Sequence, residues 1–177
     1  MPRLFALHVG AGREDSIARR IARAGAGLVR DAFCLRSQVM RRREGAWVIE
    51  ERALYPGYVF VEADEAWQVS EALGLLAETP AVLGGESADE AGVGPVALGP
   101  AEEAVVCELG GRCHVIGFSR GRIEAGRLVV EEGPLRGRER LVTRIDRHKR
   151  LAWLGGAASG LPGRGAPSVG LEVVSKS

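Results

Sequence analysis

Lysine is almost missing from this chain. Of 177 residues only Lys149 and Lys176 are lysines, so arginine carries nearly all the positive charge, a bias that also fits a GC-rich genome. Aromatics are scarce, nine in all, and cysteines number three: Cys34, Cys107 and Cys113. An odd, scattered cysteine set argues against a disulfide framework and for a reducing, cytoplasmic setting. No apolar run approaches the ~18 residues of a membrane span, so no transmembrane helix and no membrane partner are expected. The opening Met1-Pro-Arg-Leu-Phe5 is followed too soon by His8, Gly10 and Arg13 to read as a secretory signal. What remains, 46% hydrophobic and 27% charged, is the composition of an ordinary globular protein with room for one or two small domains.

The formal net charge of +1 conceals a strong asymmetry. Residues 1–52 hold 11 Lys/Arg against 6 Asp/Glu, residues 53–111 hold 11 Asp/Glu and no Lys/Arg, and residues 112–177 hold 13 Lys/Arg against 6 Asp/Glu. An acidic block between basic ones fits one surface for a protein and others for nucleic acid. The competing reading is that these charges solvate helix faces.

Periodicity divides the chain into elements. Leu4 to Val9 reads as a buried strand. Arg13 to Ala24 turns helical, with Ile17 and Ile21 four apart, Glu14 and Asp15 suited to the first turn, and Gly25 and Gly27 as the stop. Residues 32–40 and 46–52 are β-like around Arg41-Arg42-Arg43-Glu44-Gly45, a hairpin with a basic tip. Tyr58 to Glu62 is a strand. Asp64 caps a second helix with Val69, Ala72, Leu73 and Leu76 on one face. Pro80 to Leu83 is a short strand, residues 84–99 a loop, and Glu102 to Leu109 a short helix. The order β-α-β-β-β-α-β is close to that of a split βαβ sandwich with an added hairpin. Gly110-Gly111 opens a linker to about Ala125. Four short strands follow, Leu128–Val130, Arg140–Ile145, Leu151–Leu154 and Val169–Val174, with the spacing of a small barrel. The expected class is thus α+β, with domain 1–110, linker 111–125 and barrel 126–177.

The stretch "RALYPGYVFVE", Arg52 to Glu62, is the most informative. Pro56 presets φ and Gly57 permits φ > 0, so a tight turn separates Tyr55 from Tyr58. Such a turn can leave Tyr55 on the surface beside Leu4 or Phe5 as a protein contact; equally, both tyrosines can cover core. Arg41, Arg42 and Arg43 suit phosphate binding, or are simply a solvated hairpin end. Arg136, Arg138, Arg140, Arg144, Arg147, His148, Lys149 and Arg150 crowd fifteen residues interrupted only by two carboxylates, Glu139 and Asp146. That density suits RNA, with phosphates on guanidiniums and loop bases stacked on arginine or His148; the alternative is charged strand edges kept from pairing with other chains. Gly137, between Leu135-Arg136 and Arg138, lets the chain turn sharply into the next strand.

These motifs carry a family resemblance. "LYPGYVFVE" resembles the signature turn and strand of the N-terminal domain of NusG-type transcription elongation factors, and "RLVVEEGPLRGRERLVTRIDRHKRLAWL" resembles the KOW motif of their SH3-like C-terminal barrel. "RLFALHVGAGRED…ARRI" is similar to the family's first strand and helix, and "PVALGPAEEAVV" to its interdomain segment. The likeness spans about residues 3–174. "GPLRGRE…RIDRHKR" and the ending "VGLEVVSK" look closest to the LoaP branch of specialised antiterminators. The resemblance implies a monomeric factor that grips RNA polymerase through Leu4, Phe5, Tyr55, Pro56, Gly57 and Tyr58. It also places the hairpin toward upstream DNA, and its barrel, here basic, is expected to bind a nascent RNA hairpin. A housekeeping factor would instead present that barrel to a ribosomal protein or a termination factor. A third reading is a KOW-containing RNA-binding protein that never meets polymerase.

No catalytic constellation is visible. Cys107, Cys113 and His114 lack CxxC spacing and a fourth ligand, so no metal site is expected. No Ser-His-Asp order, phosphate loop or supported carboxylate pair appears, and neither an enzyme activity nor a cofactor is expected.

Overall fold

A computed structural model describes residues 2–76, 95–159 and 166–176, the side chain of Lys176 excepted. The chain forms two compact units, one of residues 1–34 and 55–103, the other of residues 35–54 and 104–177.

The first unit is a four-stranded sheet carrying two helices. Strands β1 (Arg3–His8), β2 (Asp31–Phe33), β5 (Tyr58–Ala63) and β6 (Val96–Ala97) lie in the order β2-β5-β1-β6. β1 and β5 run antiparallel from Arg3↔Ala63 to His8↔Tyr58. Helices α1 (Glu14–Ala24) and α2 (Ala66–Gly74) supply apolar faces to one side of that sheet. Phe5 and Leu7 on β1, with Val9 just past its end, alternate with their neighbours, as do Val59, Val61 and Ala63 along β5, and all six meet Ile17, Ile21, Val69 and Ala72 in one buried cluster. Period 2 on the strands and period 3.6 on the helices produce this match. Each large aliphatic side chain so buried contributes roughly 1.5–3 kcal/mol. The other sheet face is apolar too: Leu4, Ala6, Phe33 and Phe60 are buried, with Phe33 stacked on Phe60 at 5.8 Å.

Local details differ from the sequence reading. α2 is capped by Glu65 rather than Asp64, and the Gln68 side-chain oxygen accepts both the Asp64 and the Glu65 N–H at 2.9 Å. The supposed loop contains β6, which pairs with β1 through Phe5↔Ala97 and Ala6↔Val96. A two-residue strand carries too little pattern to be seen. The expected strand Pro80–Leu83 lies outside the described residues. The short helix is present as α3 (Pro100–Gly110).

The second unit holds the hairpin and the C-terminal strands. β3 (Arg36–Arg43) and β4 (Ala46–Ala53) pair antiparallel from Arg36↔Ala53 to Arg43↔Ala46. The turn is Glu44-Gly45, both at positive φ (48° and 85°), which is the type I′ geometry that matches strand twist. Arg41, Arg42 and Arg43 therefore sit on the strand rather than at the tip. The remaining strands are β7 (Val115–Ile116), β8 (Ser119–Glu124), β9 (Arg127–Glu132), β10 (Val142–Asp146), β11 (Leu151–Leu154) and β12 (Ser168–Lys176). Five of them form a sheet in the order β10-β11-β12-β8-β9, and β7 joins β3 in a sheet ordered β4-β3-β7.

The stretch expected to be a linker is folded. A 3-10 turn at Gly111–Cys113, β7 and β8 occupy it, and β8 lies between β12 and β9. Its signal was hidden because Ser-Arg-Gly-Arg-Ile-Glu has one aliphatic residue, and burial falls on Ser119 and Gly121. The compact units also divide the chain elsewhere than at 110 and 125, since the hairpin belongs with the C-terminal strands. Ser37 Oγ donates to the Ser168 carbonyl at 3.4 Å, and Arg52 reaches Ser168 Oγ at 2.6 Å.

Candidate nucleic-acid interface

The Pro56-Gly57 turn is built as its residues require, but it aims its aromatics inward. Gly57 has φ +84°, and a Cβ there would stand 3.1 Å from the Val9 carbonyl oxygen. Both backbone groups of Gly57 are engaged: its N–H donates to Glu14 Oε1 at 2.7 Å, and its carbonyl accepts the Val9 N–H at 2.6 Å. Tyr55 is only 5% exposed and packs edge-on against Phe60 at 5.9 Å. Burial, then the Glu102 carboxylate, pushes its phenol well above the ordinary tyrosine range. The expectation of an outward Tyr55 is corrected. Leu4, Phe5 and Gly57 are buried as well, while Pro56 is exposed and Tyr58 half-buried, stacked on His8 at 4.8 Å.

The three hairpin arginines are exposed but not equally free. Glu50, across the hairpin, takes Arg43 at 2.6 Å and Arg41 at 3.4 Å. The hydrogen bond from Arg43, outweighing the opposing effect of burial, holds the Glu50 carboxyl below its ordinary value. Arg42 is exposed and makes no ion pair among the described residues.

The eight-residue basic cluster splits in two. Arg138 pairs with Glu108 at 2.9 Å, Arg144 stacks over Trp153 at 4.0 Å, and Arg150 pairs with Glu172 at 2.9 Å. Arg150 also lies 4.4 Å over the Trp47 ring, with its Nη1 2.9 Å from Met40 Sδ. These three arginines are engaged by other side chains of the unit. Arg136, Arg140, Arg147 and Lys149 are exposed and make no ion pair among the described residues; His148 is exposed beside them. Arg147 to Lys149 lie in the β10–β11 turn, pinned where Asp146 Oδ1 accepts the Lys149 N–H at 2.9 Å. Gly137 has φ +75°, the left-handed conformation its turn needs. The barrel's basic surface is thus this turn plus Arg136 and Arg140.

Sequence reasoning missed Trp47 and Met40. "AWVI" reads as an ordinary β-run, yet Trp47, Val48 and Ile49 are 38%, 36% and 56% exposed. An indole on an exposed strand between arginines and glutamates is the signal that was available.

The first unit is an α+β sheet carrying two helices, and the second is rich in β-strands with a charged surface. The family model described as "Transcription termination factor nusG" matches residues 3–97, more than half the chain, and the chain belongs to the NusG family. The solved structure "Domain interaction in Thermotoga maritima NusG" is similar over 98% of this chain and 94% of that one, at 19% identity and a TM-score of 0.50, a likeness of fold. No curated protein matches the chain. The family is one of transcription factors rather than enzymes, and its members bind RNA polymerase. Among the described residues no helix is long and apolar enough to cross a membrane.

Proposed function

We propose that this protein is a cytoplasmic elongation factor of the antiterminating kind: its first unit binds RNA polymerase, and the basic β-rich unit takes nascent RNA. Family membership supports the polymerase half. The observation that carries the RNA half is the set of exposed cations that make no ion pair among the described residues: Arg147 and Lys149 in the β10–β11 turn, and Arg136 and Arg140 ahead of β10. Exposed cations outside close ion pairs suit phosphates because no hydrogen-bonded carboxylate must first be displaced. At the Pro56-Gly57 turn we place the polymerase contact on Pro56 and Tyr58, with Tyr55 as the buried prop behind them. Arg41 and Arg43 of the hairpin, which share Glu50, are assigned to nearby DNA.

The test is to copurify polymerase with the full chain, then to titrate the chain with a structured leader RNA and a scrambled hairpin at two salt concentrations. Polymerase capture together with preferential, salt-sensitive RNA binding supports the reading. Capture of polymerase with binding of a ribosomal protein or termination factor, and no RNA binding, replaces it with a housekeeping role. RNA binding without polymerase would place the protein outside elongation altogether.

A further inference from the structure

In the second unit, β3 and β4 and the β10–β11 turn enclose an open groove of about 640 Å³. Its apolar wall includes Met40 and Trp47, and its polar wall includes Arg42, Arg52 and Lys149. Two carboxylates also line it, but each is occupied: Glu50 holds Arg41 and Arg43, and Glu51 sits 3.6 Å from Arg36. Arg42 and Lys149 make no ion pair among the described residues, so the net demand of the groove is for negative charge.

We propose that this groove binds a nucleotide, its base against Trp47 and its phosphate on Arg42 and Lys149. Three features converge on that chemistry. Arg150 packs over the Trp47 ring at 4.4 Å and is itself tied to Glu172, so the ring is fixed in place while staying 38% exposed. A fixed, accessible indole flanked by cations is a platform for a base, because every base has a π-face and stacking needs no particular sequence. The two free cations come from different elements, β3 and the β10–β11 turn, and border the same space as the indole. An aromatic anion meets both walls at once; a bare phosphate leaves the indole unused, and an apolar ligand leaves the cations unpaired.

An unpaired nucleotide in an RNA strand and a free nucleotide share this chemistry. We take the strand as the ligand, which rests on the RNA reading above. The stacking site then selects single-stranded over paired RNA, because a paired base has both faces covered by its neighbours.

The test uses the full chain and fluorescence anisotropy of an end-labelled ten-nucleotide oligoadenylate RNA, with a blunt RNA duplex and ATP as competitors. The expected result is that the oligomer binds, the duplex competes poorly, and Trp47→Ala weakens the oligomer about tenfold with an unchanged melting temperature. Arg42→Ala with Lys149→Ala, both at exposed positions, lowers the slope of log affinity against log salt by about 1.4, two contacts at about 0.7 each for a single strand. If ATP binds and the oligomer does not, the nucleotide chemistry stands with a free nucleotide as the ligand. If oligomer and duplex bind equally and neither Trp47→Ala nor the double variant matters, the groove is overturned while RNA binding by the unit survives. If no RNA and no ATP binds, both the groove and the RNA reading fall.

Discussion

Glu14 and Gly57 are 43 residues apart, and the Glu14 carboxylate accepts the Gly57 N–H at 2.7 Å in a buried setting. The first turn of α1 therefore holds the turn that leads into β5. A carboxylate at a helix N-terminus is favoured locally by the helix dipole. Here the same side chain also accepts a buried backbone N–H from the turn ahead of β5.

Glu14→Ala should cost about 1.5–3 kcal/mol, the loss of a hydrogen bond to a charged group plus an unpaired N–H. Glu14→Gln, which keeps an acceptor, should cost less. Denaturant midpoints at constant m-value measure this. Equal stability of all three proteins would show that water replaces the contact.

Tyr55 and Tyr58 should separate in their effects. Tyr55→Ala empties a buried site against Phe60 and should lower stability by roughly 3–5 kcal/mol, like other large aromatic truncations. Tyr58→Ala, at a half-buried site, should cost less stability and weaken polymerase capture. Thermal melts paired with polymerase pull-down test both. A stable Tyr55→Ala protein that fails to bind would restore that residue as a direct contact.

Glu50→Gln should strengthen nucleic-acid binding, because it releases Arg41 and Arg43 from their shared carboxylate. The salt slope for a single strand should steepen by up to about 1.4, two more contacts at about 0.7 each. The pH dependence has the matching sign. The folded Glu50 carboxyl titrates below its ordinary value, so the ion pairs are complete above that value and are lost as pH falls through the lowered one. Acidification should therefore narrow the difference between wild type and Glu50→Gln. A mutant that binds no tighter at neutral pH would count against the arginines as contacts.

A fragment beginning at Gly126 should fail to fold cooperatively, whereas one beginning at His114 should fare better. The first lacks β8, which lies between β12 and β9 and pairs with them from Leu171↔Ser119 and through Gly121↔Val130. Circular-dichroism melts of the two fragments check this. A cooperative transition in the shorter one would mean that β9 closes on the other strands unaided.

Much of this protein is written in local pattern. Ile17 and Ile21 four apart, the alternation through Tyr58–Glu62, and the Val69, Ala72, Leu73 and Leu76 face identify strands and helices that bury one side, because periodicity alone decides which side chains share a face. Pro56 by fixing φ, and Gly57, Gly45 and Gly137 by tolerating positive φ, specify turns, which is a property of the residue itself. The family follows from those motifs in their order. Tertiary structure decided the rest. It turned Tyr55 inward because the second sheet face is also apolar, which a surface-strand pattern does not reveal. It made a strand of Ser119–Glu124, whose burial rests on serine and glycine and on partners about fifty residues away. It divided eight clustered basic residues into those engaged by other side chains and those left outside ion pairs, since Glu108, Glu172, Trp47 and Trp153 are distant in sequence or on another strand. Net charge is additive along a chain, but which charges are neutralised depends on distances of a few ångströms that only the folded backbone sets.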